Sequence, residues 1–117
     1  MVAKEVIDAN GPLPVNVTYT SKGGTLIIFA SGSGWTGAPP QQIGMKVRVD
    51  GSAEPPNAEV FVKNAASANE HFAFVPASIV VRGVPAGPVP IELVVLNGQT
   101  KTDGDDSFKV TVLEIPQ

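Results

Sequence analysis

The stretch that decides the fold is Ile91–Ile115, which reads IELVVLN (91–97), GQTKTDGDD (98–106) and SFKVTVLEI (107–115). Two runs rich in Val, Leu, Ile and Phe flank a polar segment carrying Asn97-Gly98, Thr102, Asp103, Gly104, Asp105 and Asp106. Apolar runs of this length bounded by turn residues read as strands, and their succession predicts a β-hairpin. Successive strand residues face opposite ways, so Ile91, Leu93, Val95, Phe108, Val110 and Val112 share one side and Val94, Leu96, Leu113 and Ile115 the other. A strand pair apolar on both sides must be covered twice. The second cover is either the N-terminal segment or another copy of the chain, which makes Val94, Leu96, Leu113 and Ile115 the candidate homo-oligomer interface.

Upstream of this stretch, eleven Pro and twelve Gly cut the 117-residue chain into segments too short for ordinary helices. Lys4–Ile7 reads as a short strand before a turn at Asn10-Gly11-Pro12, and Val15, Val17 and Tyr19 alternate with polar neighbours. Thr25–Ser31 is apolar on both faces, as a central strand would be, while Ile43–Asp50 has the cleanest period of two. A turn at Asp50-Gly51, with Pro55-Pro56 beyond it, leads to a strand over Ala58–Lys63; Glu70–Val75 and Ser78–Arg82 add two more. Gly83–Pro90, GVPAGPVP, reads as too proline-rich for regular structure. The expectation is a single all-β domain over residues 1–117. Its architecture would be an antiparallel β-sandwich of about eight strands, jelly-roll in preference to immunoglobulin-like.

Composition narrows the function classes. A 43% hydrophobic and 16% charged chain buries enough apolar surface to fold. Eight Lys and Arg, scattered along a chain of net charge −3, leave no footprint for phosphate backbones and argue against nucleic acid. With no Cys, disulfides, thiolate metal sites and a cysteine nucleophile are excluded. No apolar run has the length of a signal peptide or a membrane span, so the cytoplasm is the default expectation, with a surface or virion location as the alternative.

Taken together, SGSGW (31–35), IGMKVRVDG (43–51), EHFAFVP (70–76), GVPAGPVPIEL (83–93) and TDGDDSFKVTVLE (102–114) resemble bacterial and phage jelly-roll domains of the tumour-necrosis-factor-like kind. The resemblance covers about residues 25 to 115 and rests on strand and turn landmarks. It implies homotrimers that serve as binding heads recognising glycans or cell-surface partners.

Three constellations carry candidate chemistry. The first is the loop Gly32–Pro40, whose Gly spacing invites a phosphate-loop reading; that fails because no Gly-Lys-Ser/Thr follows and Pro39-Pro40 stands where a helix should begin. Its Trp35, the single Trp, is either a stacking platform for a sugar ring, with Ser33 and Thr36 beside it, or a cap over the sandwich end, or a subunit contact. The second is the acidic turn, where Asp103, Asp105 and Asp106 are candidate oxygen ligands for Ca²⁺, or else a solvated turn closed by Asx-type hydrogen bonds. An EF-hand is ruled out by Phe108, which stands where the loop needs Gly, and by the strand period that runs through it. The third is His71, the single His, which reads as a strand residue bonded to a neighbour or facing solvent, or else as a catalytic base or a pH-sensitive interface residue; a Ser-His-Asp relay has no Gly-X-Ser-X-Gly elbow to support it.

The sequence therefore points to a non-catalytic binding module, with no cofactor, whose partner is a carbohydrate or a protein met through the loops. The alternative is a structural or assembly subunit that acts by self-association. No motif supports an enzyme.

Overall fold

A computed structural model describes residues 2–49 and 58–116 of the chain. Among these residues ten strands and no helix form: β1 Val2–Asn10, β2 Val15–Ser21, β3 Gly24–Ser31, β4 Ser33–Gly34, β5 Gln41–Val49, β6 Ala58–Ala65, β7 Phe72–Ala73, β8 Ala77–Val84, β9 Gly87–Val95 and β10 Ser107–Pro116. They assemble into two four-stranded antiparallel sheets, in the orders β1-β10-β3-β8 and β2-β9-β5-β6, and a two-residue pair of β4 with β7. No helix of the described residues is long and apolar enough to cross a membrane. The turn expected at Asp50-Gly51 and the Pro55-Pro56 segment lie outside the described residues.

The pairing follows one rule. β1 pairs β10, β2 pairs β9, β3 pairs β8, β4 pairs β7 and β5 pairs β6, so each strand meets the one that mirrors it from the other end of the series. The chain is thus a long two-stranded antiparallel ribbon, folded so that β10 also pairs β3 and β5 also pairs β9. The inward faces follow from the period of two. Leu26, Ile28, Val81, Phe108, Val110 and Val112 from one sheet, and Met45, Val47, Val49, Val89, Ile91 and Leu93 from the other, are buried in one cluster. Each such side chain withdrawn from water contributes about 1.5–3 kcal/mol, and this common core holds the two sheets together.

Two expectations are corrected here. IELVVLN and SFKVTVLEI are not a hairpin: β9 lies in one sheet and β10 in the other, and residues 96–106 carry the chain between them. Of the residues that the period of two groups on one side, Ile91, Leu93, Phe108, Val110 and Val112 are buried and Val95 is half-buried, but the residues on the other side belong to opposite sides of the structure. Val94 and Leu96 belong with one sheet, Leu113 and Ile115 with the other, and each of the four is half-buried. No single face holds all four. Nor does the N-terminal segment cover Leu113, because β1 runs beside β10 in the same sheet, with Ala3 opposite Leu113.

The second correction concerns Gly83–Pro90, where β8 extends to Val84 and β9 begins at Gly87. Pro88 and Pro90 oppose Thr20 and Thr18 of β2, and among the described residues β9 pairs β5 from Ile91 opposite Val49 to Val95 opposite Met45. A residue without an N–H is accommodated in a strand where no ladder bond calls for one.

Candidate functional site

One end of the molecule is closed by four interlocking segments: the turn after β1, the loop on either side of β4, the residues around His71, and the 96–106 crossover. Backbone hydrogen bonds tie them together. Trp35 and Lys101 exchange N–H···O bonds of 2.9 and 2.7 Å, Asn69 N–H donates to Thr36 O at 2.8 Å, and Gly11 N–H donates to Asp106 O at 2.8 Å. Asn97 organises the start of the crossover: its Oδ1 accepts from the backbone of Gln99 and Thr100 and from the Thr100 hydroxyl, while its Nδ2 donates to Gln42 O. The Asn97-Gly98 turn signal therefore marks a real turn, made within a crossover.

The glycines of SGSGW have a packing reason. A Cβ on Gly32 would stand 2.5 Å from the Phe108 ring, and one on Gly34 would stand 2.8 Å from Phe74 and 2.9 Å from the Lys101 carbonyl oxygen. Their spacing reflects close approach to two core aromatics, not a phosphate cradle.

At the centre of this end lies Asp106, whose side chain is fully buried. Its Oδ1 accepts from Ser33 Oγ at 2.7 Å and from His71 Nδ1 at 2.8 Å, and its Oδ2 accepts from Asp103 N–H at 2.9 Å. A carboxylate withdrawn from water persists only with such donors around it. The order matters chemically. A nucleophilic relay needs imidazole between hydroxyl and carboxylate, whereas here the carboxylate stands between the two donors and the Ser33 hydroxyl donates its hydrogen bond to Asp106.

His71 is exposed on its other side. The hydrogen bond to Asp106 raises its pKa above the ordinary imidazole value of 6.5; the negative charges of Asp106, Asp103 and Asp105 add to this, and partial desolvation opposes it. Its Nε2 faces Asp103 Oδ2 at 3.7 Å. The Trp35 ring lies beside it, with centroids 6.1 Å apart and planes tilted by 44°. Trp35 is half-buried, and its Nε1–H is enclosed with no hydrogen-bond partner among the described residues.

The residues named from sequence divide accordingly. Trp35 is half-buried at this end, with its ring nitrogen enclosed. Ser33 is engaged by Asp106, and Thr36 is buried with its hydroxyl accepting from Ala38 N–H, so both build the loop and neither is turned out toward a ligand. Of the three carboxylates, Asp106 has turned inward and is filled by donors. Asp103 and Asp105 stay at the surface, where they come together with His71: one ligand atom from each lies within 4.8 Å of the others. The chain matches no protein-family model and no curated protein. The chemistry of this end is therefore read from its own geometry.

Sequence reasoning missed the convergence of His71 on Asp106, because the two are 35 residues apart and no spacing rule connects them. It also missed Glu114, an inward residue of β10 that is buried. Glu114 Oε1 accepts from the Tyr19 hydroxyl at 2.9 Å, and its carboxylate accepts from Lys22 N–H at 3.1 and 3.2 Å. The period of two placed Glu114 on the inner face, which was the available signal for a buried, bonded carboxylate.

Proposed function

We propose that this chain is a non-catalytic binding module of jelly-roll type, and that its loop end around Trp35 recognises a glycan. The nested pairing of eight long strands in a folded-back ribbon supports the jelly-roll reading over an immunoglobulin-like one, in keeping with the resemblance to tumour-necrosis-factor-like domains. The observation that carries the functional reading is the half-buried Trp35 ring beside His71, with Asp103 and Asp105 at the same end. An aromatic face suits the apolar side of a sugar ring, and neighbouring carboxylates and imidazole suit its hydroxyls. A glycan array tests this: a defined set of sugars bound by the native chain and lost in Trp35→Ala supports it, and an array without binding rejects it.

A second reading, assembly by self-association, is favoured by the outer face of the β1-β10-β3-β8 sheet. Ala3, Leu113, Ile27 and Val80 are cross-strand neighbours and form an apolar row over all four strands, with Phe29 next to it. Phe29 and Val80 are 46% and 49% exposed, an apolar surface that a second copy would cover. Sedimentation at increasing concentration separates this reading from the first.

A further inference from the structure

We infer that His71, Asp103 and Asp105 form a binding site for a divalent first-row transition ion, with Zn²⁺ the natural probe. The inference stands independently of the glycan reading.

The ligand atoms come first. His71 Nε2 and Asp103 Oδ2 face one another at 3.7 Å, beyond hydrogen-bond length. Two donors held on one tetrahedral ion, each about 2.0–2.2 Å from it, stand about 3.4 Å apart. The gap between them therefore has the width of a shared ion. Asp105, which is exposed, supplies a third ligand atom in a group whose members all lie within 4.8 Å of one another.

The support behind the imidazole comes next. A metal-bound histidine characteristically donates its other ring N–H to a carboxylate, which selects the tautomer and orients the ring. His71 has this arrangement, since Nδ1 meets the buried Asp106 carboxylate at 2.8 Å and Nε2 faces Asp103 Oδ2 at 3.7 Å. Asp106 is not one of the three ligands. It also accepts from Ser33 Oγ–H and Asp103 N–H, and these two bonds hold it in place whether or not an ion is bound. Asp103 is likewise oriented, because its Oδ1 accepts from Asp105 N–H at 2.9 Å and Oδ2 is left to face the imidazole.

The ligand types select the ion. Ca²⁺ and Mg²⁺ call for oxygen donors in larger numbers, whereas one imidazole with two carboxylates suits Zn²⁺ and its neighbours. The Ca²⁺ set suggested by the sequence, Asp103, Asp105 and Asp106, is thus replaced by one in which His71 takes the place of the inward-turned Asp106.

The single histidine makes the test direct. The full chain, without a tag and freed of metal by chelation, is titrated with ZnCl₂ at mildly alkaline pH while the imidazole ¹⁵N and ¹H resonances are followed. A shift of Nε2 that saturates at one ion per chain and reverses with chelator is expected. Affinity should fall at least tenfold in His71→Gln, which keeps a donor for Asp106, and several-fold in Asp105→Asn, an exposed substitution that leaves the fold intact. Imidazole resonances unmoved by excess Zn²⁺, or equal affinity in His71→Gln, would overturn the site. Ca²⁺ that moves the same resonances as tightly as Zn²⁺ would overturn the ion class.

Discussion

Asp106 is the residue on which the loop end depends, because a fully buried carboxylate is retained only while its donors are. Asp106→Ala leaves the Ser33 hydroxyl and the Asp103 N–H without their acceptor, and the cost is expected at about 2–4 kcal/mol in urea unfolding. Asp106→Asn keeps the shape but turns an N–H₂ toward one of these donors, so it should recover only part of the loss. The same carboxylate governs His71. Its folded pKa lies above 6.5, so its pairing stabilises the metal-free protein fully below the unfolded value, and that contribution is lost as pH rises through the folded value. The ring is partly solvated, so the effect on overall stability is small; the sharper measurement is the imidazole titration itself. An NMR titration of the chelated protein should give a midpoint above 6.5, falling toward 6.5 in Asp106→Asn. An unchanged midpoint in that variant would separate His71 from Asp106.

At the scale of the element, the inner faces of β9 and β10 were legible because a period of two is a local property: Ile91, Leu93, Phe108, Val110 and Val112 are all buried. Their partners were not legible. A polar segment such as 97–106 can close a hairpin or cross from one sheet to the next, and only long-range pairing decides between the two. Here β2 and β5 claimed β9, while β1 and β3 claimed β10. The acidic turn shows the same limit, since Asp103, Asp105 and Asp106 look equivalent in sequence and only the approach of Ser33 and His71 selects which one turns inward. Two substitutions probe how the elements meet. Gly34→Ala drives a methyl group into Phe74 and the Lys101 carbonyl and should cost about 1–3 kcal/mol by thermal or urea unfolding. Tyr19→Phe removes one donor from buried Glu114 while Lys22 N–H remains, so a smaller loss of about 1–2 kcal/mol is expected.

For the whole molecule, the topology changes where self-association must be sought. The four residues first grouped as an interface are divided between two sheets, but Leu113 lies at the centre of the apolar row that runs from Ala3 through Ile27 to Val80. The row spans every strand of its sheet, and its flanking Phe29 is half-exposed, so a partner laid across it would bury side chains from four strands at once. Phe29 and Val80 point outward and are dispensable to the core, which makes them better probes than Leu113: a Lys at either position adds charge to the face without opening a cavity. If the assembly reading holds, the native chain sediments as an oligomer in the micromolar range, Phe29→Lys and Val80→Lys each shift it toward monomer, and Val94→Lys, on the opposite sheet, does not. A native chain that stays monomeric as its concentration rises removes the trimer expectation, and the glycan array then decides whether the proposed loop end binds a partner.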